Sequence, residues 1–449
     1  MRITIPTAGT RGDVQPAIAL GLGLLKAGYQ VRLIAFEEYR ELITGYGLDY
    51  FPLQVNIQTL LKKYGKVDLY DSGAIQFFFV PTLIRIFNEM YESMALDILQ
   101  VTQGSSMEER SVAVIGNPAT SMLSYAVAEK LGAAYLESSG FPGWPTRSFP
   151  TIFWPKASSP GNGCGWRGTF NRLTYEPVSW LATLGLLPVV SRCRTKILGL
   201  PPLNFFGSYG KPAALGTPAL ACFSEQVLPR PPDWGAHVHV TGYWFADTPN
   251  FEPSDELARF LEAGPPPVYI GFGSMPSKDP KQLSALMTQA LRLANQRGLL
   301  FTNSDVLGQG MSHQETAQDI LAIGSTPHDW LFPRCAAVVH HGGAGTTASG
   351  LRAGIPSILV PIMGDQLLWA QRVEELGVGP KPIPRSRLTA ERLAEAIRQA
   401  VNDPSVCQRS TALGKKIRAE DGVGEAVKII DQYLEAQIKL TKPCVPSGE

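Results

Sequence analysis

Short apolar runs alternate with helix-like stretches along most of the chain, and this alternation occurs twice. The first series opens with RITIPT, continues with a helix predicted from Gln15 to Gly28, and returns to a strand at YQVRLIA. The second opens with PVYIGFGSM, continues with a helix predicted from Lys281 to Gly298, and goes on with the strands LLFT, ILAI, AAVVH and SILVP. Such alternation is typical of a parallel sheet covered by helices on both faces. The sequence therefore predicts an α/β protein with two Rossmann-like domains.

The length of the chain agrees with this division. Its 449 residues suit two domains of about 200 residues each. We predict a first domain over residues 1–240, a linker rich in turn formers over 241–264, and a second domain over 265–424. The segment 425–449 has helical periodicity and is a candidate to cross back to the first domain. A cleft between two such domains is a common place for a ligand.

Composition excludes several classes of function. The net charge is +1 and no basic stripe is present, so nucleic acid is not an expected partner. The six cysteines are scattered without metal-ligand spacing, which predicts neither a zinc site nor a disulfide framework. There is no signal peptide and no uninterrupted apolar run of membrane-spanning length, so we expect a cytoplasmic protein. The basic excess of residues 156–211, seven basic residues against one acid, leaves peripheral membrane contact open.

The most informative loop is HHGGAGTTASG, His340 to Gly350, which follows the apolar run CAAVV and precedes a helix predicted to start near Gly345. Free backbone N–H groups and the positive end of a helix dipole meet at such a place, and both favour a bound phosphate. Its glycines let the backbone approach an oxyanion, while His341, Thr346 and Thr347 add side-chain donors.

Two other interpretations of this loop stay open on the residues alone. The glycines could simply end a strand and permit tight packing of a helix on the sheet. The hexapeptide GAGTTA also fits the GxGxxA pattern of dinucleotide-binding proteins, and Asp365 lies near the end of the next strand, where a ribose-binding acid belongs. That pattern would indicate a nicotinamide or flavin enzyme.

The wider context resembles a known signature. Downstream, Asp365 and Gln366 begin a predicted helix, where an acid and an amide can bond two neighbouring sugar hydroxyls; upstream lies STPHDWLFPRC. Together with the loop, these resemble the donor site of nucleotide-sugar-dependent glycosyltransferases of the two-domain GT-B architecture. TAGTRGDVQP, TGYW, GFGSM, PHDWLF, HHGGAGTT, AGIPSILVP and GDQ occur in the family's order. Among its branches the sequence is most similar to the sterol 3-beta-glucosyltransferases, and next to bacterial enzymes that glycosylate antibiotic aglycones.

The resemblance implies a donor site, mainly in the second domain, that holds a UDP-sugar as co-substrate with no separate cofactor. The diphosphate would be held by His341 and by the backbone of Ala344, Gly345 and Thr346, with Ser274 nearby. Thr326 and His328 would line the nucleotide end, while Asp365 and Gln366 would take the sugar hydroxyls. From the first domain, the turn TRGD would bring Thr10 and Arg11 to the donor.

The same turn supplies the candidate catalytic base. Inverting transfer needs a group that takes the proton of the acceptor hydroxyl, and many relatives use a histidine in this turn. All six histidines of this chain lie beyond residue 236, so the resemblance makes Asp13 the candidate. The alternative role of Asp13 is the N-cap of the following helix. The sequence has no Asp-x-Asp tripeptide, and no metal ion is expected.

We therefore expect inverting, metal-independent transfer of a hexose, with glucose as first candidate, from a UDP-sugar to a hydroxyl of a sterol or similar lipophilic aglycone. The alternatives are transfer to a polyketide, terpenoid or peptide natural product, an NAD(P)-dependent oxidoreductase, and a non-catalytic protein that binds sugar nucleotides or lipids. The aromatic, proline-rich segments 74–86 and 139–155 are predicted to be irregular. Their aromatic residues, such as Trp154, either wall an acceptor pocket or belong to the core.

Overall fold

The computed structural model describes residues 1–55, 76–154, 161, 163–203, 216–248, 250–272, 280–301 and 319–441. They form two all-parallel sheets, one of seven strands and one of five, each packed against helices. This arrangement confirms the predicted α/β class with two Rossmann-like sheets.

The first sheet has the strand order β3-β2-β1-β4-β5-β6-β7. Its strands are β1 (Arg2–Pro6), β2 (Gln30–Phe36), β3 (Asp49–Leu53), β4 (Ser111–Gly116), β5 (Ala134–Ser139), β6 (Ala219–Ala221) and β7 (Val238–Val240). The helices of this part are α1 (Arg11–Lys26), α2 (Arg40–Gly45), α3 (Gln76–Gln103), α4 (Ser121–Leu131), α5 (Gly165–Leu173) and α6 (Tyr175–Arg192). Because the order reverses between β1 and β4, the loops after these strands diverge and leave a crevice at the carboxyl edge of the sheet.

The second sheet repeats this plan with the order β10-β9-β8-β11-β12. Its strands are β8 (Val268–Gly271), β9 (Gly298–Phe301), β10 (Ile320–Ile323), β11 (Ala337–His340) and β12 (Ser357–Leu359). Its helices are α7 (Asp255–Glu262), α8 (Pro280–Ala294), α9 (His328–Leu331), α10 (Ala344–Ala353), α11 (Asp365–Glu375), α12 (Ala390–Asn402) and α13 (Pro404–Arg418). Here the reversal lies between β8 and β11, so the glycine-rich loop after β11 occupies the second crevice.

The last helix, α14 (Gly422–Thr441), packs on the first sheet rather than the second. Its Ile430 and Leu434 are buried in the same core as Ile18 of α1. The Tyr29 hydroxyl, just after α1, donates to the Asp431 carboxylate at 2.6 Å. Helix α14 is therefore part of the core of the first domain.

The connection between the sheets is bound on both sides. Residues 241–248 run extended, and the Tyr46 hydroxyl from the first domain donates to the carbonyl of Ala246 at 3.3 Å. On the other side, the backbone N–H of Thr248 donates to Asp329 at 2.8 Å, and Arg352 of α10 pairs with Asp247. Part of the predicted linker is a helix, because α7 begins behind the N-cap of Ser254.

Two helices differ from the sequence expectation. The segment 74–86, predicted to be irregular, is helical from Gln76 onward, because α3 packs against α4 and α6 and its tertiary contacts override an irregular local pattern. Helix α1 begins at Arg11 instead of Gln15, because a side-chain cap at Thr10 ties down the first turn despite Pro16.

One stretch of the described residues, Gly165–Leu198, is long and apolar enough by length and composition to cross a membrane. It comprises α5, α6 and a π-helical turn, and about a third of its most apolar 18-residue window is buried. Charged residues interrupt the stretch, so it is not the uninterrupted apolar run whose absence the sequence indicates. Length and composition do not separate a spanning helix from a core helix.

The contact between α10 and α13 yields a stability prediction. At Gly414 of α13, an added Cβ would lie 2.6 Å from Cα of Gly354 and 2.9 Å from the carbonyl oxygen of Leu351. Since both atoms belong to the backbone, we expect Gly414→Ala to lower the free energy of unfolding by about 1–3 kcal/mol, measured by urea denaturation. Gly45→Ala, at an exposed helix end where a Cβ would meet nothing within 4 Å, is the control. Equal midpoints for the two variants would contradict the proposed backbone clash.

Candidate functional site

The two crevices face each other, and the first turns of α1 and α10 meet between them. A Cβ added to Gly345 would lie 3.8 Å from Cα of Gly12. Nearby, the Arg11 guanidinium reaches across from the first domain and donates to the Ser325 hydroxyl at 2.8 Å. Because both helices present their N-terminal ends, unpaired N–H groups and two positive dipole ends converge here. The cleft at this point is built to attract an anion.

The loop after β11 is fixed by its own side chains. Gly342 adopts φ +92°, and a Cβ there would come within 3.1 Å of the Gln366 carbonyl oxygen, which explains the glycine. The ring of the buried His340 accepts from the Gly342 N–H at 3.0 Å through Nδ1. The His341 ring lies over Gly343, where a Cβ would be 2.6 Å from Nε2. The backbone before α10 is therefore held in one conformation.

The histidines of the cleft are neutral at pH 7. Burial lowers the pKa of His341 to about 4. Burial, with Arg11 and His341 as further causes, lowers the pKa of His328 to about 3, and its ring stacks on Phe332 with centroids 4.2 Å apart. Nδ1 of His341 is buried without a partner among the described residues. In the ligand-free protein His341 therefore offers a hydrogen bond and no charge.

Asp365 lies at the first position of α11 and is tied to the glycine-rich loop. Its carboxylate accepts from the Trp369 indole N–H at 3.0 Å, and the backbone N–H of Ala344 lies near enough to favour its charged form. Burial, with the nearby charge of Asp13 as a further cause, raises the pKa of Asp365 to about 6. The predicted sugar-binding acid and one predicted phosphate-binding amide thus lie close to each other.

The neighbouring Gln366 has a structural function as well. Its side-chain carbonyl oxygen accepts from the backbone N–H groups of Ile362 and Met363 at 2.9 Å and 3.3 Å. These bonds hold the turn that precedes α11, so the amide oxygen is engaged within the protein.

Asp13 faces this cluster from the first domain. Oδ2 of its carboxylate accepts from the Thr10 N–H at 2.7 Å and from the Thr10 hydroxyl at 3.2 Å, while Oδ1 has no hydrogen bond within the described residues. Burial raises the pKa of Asp13. The predicted N-cap alternative is wrong in its position, because Thr10 is the N-cap and Asp13 completes the capping box from the third position of α1.

Gly9 makes room for this carboxylate. It adopts φ +143°, and a Cβ there would lie 2.2 Å from Oδ2 of Asp13. The position of Asp13 is thus set by backbone groups and by the absence of a side chain at Gly9.

The remaining predicted residues are placed as follows. Thr346 lies in the first turn of α10, and the Thr326 hydroxyl donates to the carbonyl of Gly324 at 3.2 Å in the loop before α9. Ser274 lies outside the described residues. Among the described residues there is no group of three or more His, Cys, Asp or Glu side chains placed to hold a metal ion.

Sequence reasoning missed four residues that shape the site. They are Gly9, Ser325, His340 and Trp369. Trp369 could have been found, because it follows Asp365 by four residues on a predicted helix and shares its face. The contact of Ser325 with Arg11 joins distant parts of the chain, and the contacts of Gly9 and His340 depend on the exact backbone conformation of the turns around them, which sequence patterns do not encode.

Two cavities border the site. The larger, of about 650 Å³, extends from Gly12 and Gly345 along the interdomain connection and is also lined by His328 and Ser349. This volume suits a small-molecule ligand. The smaller, of about 10 Å³, lies between residues 149–154 and α11, where it has room for about one water molecule.

The aromatic residues of segments 74–86 and 139–155 were predicted either to wall an acceptor pocket or to belong to the core. Phe149 is fully buried in the core with Trp369, whereas Trp154 is partly buried. The aromatic side chains predicted at residues 77–79 lie outside those described. The core interpretation therefore holds for Phe149.

Known proteins match the whole length of this chain. Residues 3–150 match the glycosyltransferase family 28 N-terminal domain, and residues 308–432 match the C-terminal domain of erythromycin biosynthesis protein CIII-like proteins. The sterol 3-beta-glucosyltransferase UGT80B1 of Arabidopsis thaliana is 34% identical over 98% of this chain and 69% of its own length. The O-mycaminosyltylonolide 6-deoxyallosyltransferase of Streptomyces fradiae is also 34% identical, over 99% of this chain and 100% of its own.

Solved structures agree at the level of the fold. The glycosyltransferase VinC in complex with DTDP superposes with a TM-score of 0.66, at 17% identity, over 97% of this chain and 100% of its own. The structure of SsfS6 from Streptomyces sp. SF2575 gives a TM-score of 0.61 at 18% identity, over 96% of this chain and 100% of its own.

The Asp365–Trp369 contact yields a titration prediction. The raised pKa means that the carboxyl takes up a proton as the pH falls through about 6, and the indole then faces a neutral group. We expect intrinsic tryptophan fluorescence to change with a midpoint near this pH. Asp365→Asn should abolish the transition, and Trp369→Phe should remove most of its amplitude. A transition that persists unchanged in both variants would have another origin.

Proposed function

The chain belongs to the glycosyltransferase family that includes the sterol 3-beta-glucosyltransferases, and from this premise we propose that it transfers glucose from UDP-glucose, with inversion, to a hydroxyl of a sterol or similarly lipophilic aglycone. It is a UDP-sugar-dependent glycosyltransferase of the GT-B fold. What supports the specific reaction is the placement of Asp13, from one domain, opposite Asp365 and the first turn of α10, from the other.

The donor would bind with its diphosphate at the start of α10. Gly345 and Thr346 have backbone N–H groups in the first turn of that helix, where no intrahelical partner exists. The neutral His341 would add a hydrogen bond. The Ala344 N–H, which lies near Asp365 in the ligand-free protein, would donate to a phosphate oxygen, and the carboxylate of Asp365 would accept from a sugar hydroxyl.

The nucleotide would occupy the side of the cleft near α9. His328 and Ser349 line the larger cavity there, and the Arg11–Ser325 contact closes the cleft beside them. The side chain of Gln366 stabilises the turn before α11 through its bonds to the backbone. We therefore propose that Gln366 positions Asp365 in addition to contacting the sugar.

Asp13 would act as the general base. The acceptor oxygen attacks the anomeric carbon from the face opposite UDP, its proton passes to Asp13, and the bond to the phosphate oxygen breaks with its electron pair leaving on UDP. Burial raises the proton affinity of this carboxylate, which brings its pKa closer to that of a useful base. Negative charge on the departing UDP would be stabilised by the α10 dipole and the hydrogen bond of His341.

The acceptor class is inferred from relatives. The sterol 3-beta-glucosyltransferase of Arabidopsis thaliana and the O-mycaminosyltylonolide 6-deoxyallosyltransferase of Streptomyces fradiae are equally similar to this chain, at 34% identity each. We favour a sterol-like acceptor because several further sterol 3-beta-glucosyltransferases, including that of Yarrowia lipolytica at 33% identity over 29% of its length, match the chain. A polyketide-type aglycone is the second candidate.

We also propose a cytoplasmic location, supported by free thiols at Cys164, Cys193, Cys222, Cys335 and Cys407.

The base assignment predicts a selective loss of turnover. An asparagine at position 13 can still accept from the Thr10 N–H, so Asp13→Asn should keep the fold and UDP binding while the transfer rate falls by about 10²–10⁴-fold. An acceptor screen with UDP-glucose, read by glycoside mass, measures the rate and identifies the acceptor. The matched control is Asp403→Asn, which changes another helix-capping aspartate, bonded to the Ser405 N–H at 2.8 Å.

The acceptor screen and a fluorescence titration together distinguish the proposed function from its alternatives. Wild-type rates in the Asp13→Asn variant would refute the base assignment. UDP-glucose binding without glycoside or UDP release for any acceptor would favour the non-catalytic alternative. A fluorescence titration that responds to NADPH but not to UDP would favour the oxidoreductase.

We further propose that transfer needs no metal ion, since the leaving charge would be stabilised by α10 and His341, and the sequence lacks an Asp-x-Asp tripeptide. The expected result is an unchanged initial rate after dialysis against a chelator. A strong loss that returns on addition of Mg²⁺ or Mn²⁺ would overturn this part of the mechanism.

A further inference from the structure

Exposed apolar side chains are concentrated on one part of the first domain. Eleven large hydrophobic side chains are exposed among the described residues, and five of them lie between residues 166 and 184. We call this set the apolar ridge; its members are Trp166, Phe170, Leu173, Trp180 and Leu184. Isolated exposed hydrophobic residues are ordinary, but a contiguous group of this kind indicates a contact surface.

The ridge is formed by one face of each of two consecutive helices. On α5, Trp166, Phe170 and Leu173 recur at intervals of four and three residues and therefore line one face, with exposed fractions of 76%, 43% and 58%. The opposite face of α5 packs inward through Gly168, where a Cβ would lie 2.0 Å from the Gly163 carbonyl oxygen. This contact fixes α5 on the turn that precedes it, and the exposed fractions show that the apolar face points to solvent.

On α6, Trp180 and Leu184 continue the ridge at a spacing of four residues. The other side of α6 is buried through Leu186, Val189 and Val190, in the core that includes α3. Both helices therefore have an inner face that packs against the protein and an apolar outer face that is exposed to solvent.

The charges around the ridge are mainly positive. Helix α5 carries Arg167 and Arg172 and no acid; both arginines are exposed, and the Arg172 guanidinium is held by the Pro145 carbonyl at 2.9 Å. Glu176, at the start of α6, is the acid of this face. Two arginines further along are neutralised within the protein, since Arg192 pairs with Glu92 and the buried Arg194 pairs with Glu129.

We propose that the apolar ridge docks on the surface of a lipid bilayer that contains anionic lipid. Tryptophan, phenylalanine and leucine side chains would enter the interfacial region, while Arg167 and Arg172 stay at the level of the headgroups. The arginines supply charge complementarity to anionic headgroups.

A second copy of the chain is a poorer occupant. In a symmetric pair each ridge would face its own copy, and the arginines of α5 would then approach the same arginines of the partner. A membrane-spanning arrangement is also disfavoured. It would require α6 to leave the core it shares with α3 and would break the Arg194–Glu129 ion pair next to it.

The ridge is connected to the transfer site. The ring of Phe170 contacts Trp154 edge to face, with centroids 5.4 Å apart. Trp154 also lines the small cavity against Leu367 and Leu368 of α11, the helix that begins at Asp365. Resting on the proposed function, this chain of contacts would place a bilayer docked on the ridge close to the transfer site, so that a lipophilic acceptor leaving the bilayer would enter the cleft nearby.

The test is co-sedimentation with phosphatidylcholine vesicles prepared with and without phosphatidylglycerol. We expect the full-length protein to bind the anionic vesicles, and the double variant Trp166→Glu with Leu173→Glu to lose binding by about tenfold or more. The matched control is Leu96→Glu with Leu293→Glu, two exposed leucines outside the ridge, which should bind as the wild type does. Arg167→Gln should weaken binding to the anionic vesicles only.

Dibromo-phosphatidylcholine provides a second measurement. It should quench tryptophan fluorescence of the wild type more than that of Trp166→Phe, because Trp166 is the most exposed side chain of the ridge. Absence of vesicle binding, equal binding by the ridge and control variants, or equal quenching would overturn the proposal. So would resistance to extraction by alkaline carbonate, which indicates a spanning segment, or a dimer that depends on the ridge in light scattering.

Failure of docking and failure of the proposed function give different results. If docking is correct, the ridge variant keeps its rate with a detergent-dispersed sterol and loses rate with the same sterol in vesicles. Wild-type binding to vesicles without transfer to any acceptor would refute the function and leave the docking surface standing. Equal rates of ridge variant and wild type on vesicle-borne sterol would refute the connection between docking and acceptor supply.

Discussion

The approach of two helix N-termini across the cleft is the constraint on which the site depends. Gly12 of α1 and Gly345 of α10 come so close that a Cβ on Gly345 would lie in van der Waals contact with Cα of Gly12, at 3.8 Å. Two positive dipole ends in such proximity repel each other unless negative charge lies between them. In the ligand-free protein Asp13 and Asp365 supply that charge, which raises the pKa of Asp365 further. A bound diphosphate would supply this negative charge in their place. Donor binding and release of the carboxylates from the helix ends would then occur together.

The two helices are held in place by the last part of the chain. Helix α13 packs on α10 where Gly414 meets Gly354, and α14 packs on α1 where Gly23 meets Val423. Between α13 and α14, Gly422 contacts the backbone of Gly242 and Tyr243 at the interdomain connection. Consecutive C-terminal helices therefore link the donor helix to the helix that carries Asp13. The distance between base and donor is set by backbone contacts through glycine, which leave little room for adjustment.

The sequence predicted the features that rest on local pattern. Both sheets, the glycine-rich loop and the start of α11 at Asp365 follow from apolar runs and turn chemistry, and the comparisons confirm the family. The start of α1 was missed because the capping function belongs to Thr10, whose effect is visible only once Asp13 is seen to reach back to it. The neutral state of His341 could not be predicted, because burial by distant residues sets its pKa.

Donor binding and acceptor choice in the cleft depend on different kinds of interaction. Charge and hydrogen bonds fix the donor side, whereas relatives at the same 34% identity are named for a sterol and for O-mycaminosyltylonolide. Asp13 is oriented by the Thr10 N–H and the space at Gly9, not by any group that would contact an acceptor. A base positioned in this way accepts a proton from any hydroxyl brought to it. Acceptor choice must then come from the apolar surroundings and from how the acceptor arrives, and an acceptor concentrated in a membrane would favour a transferase that rests on that membrane.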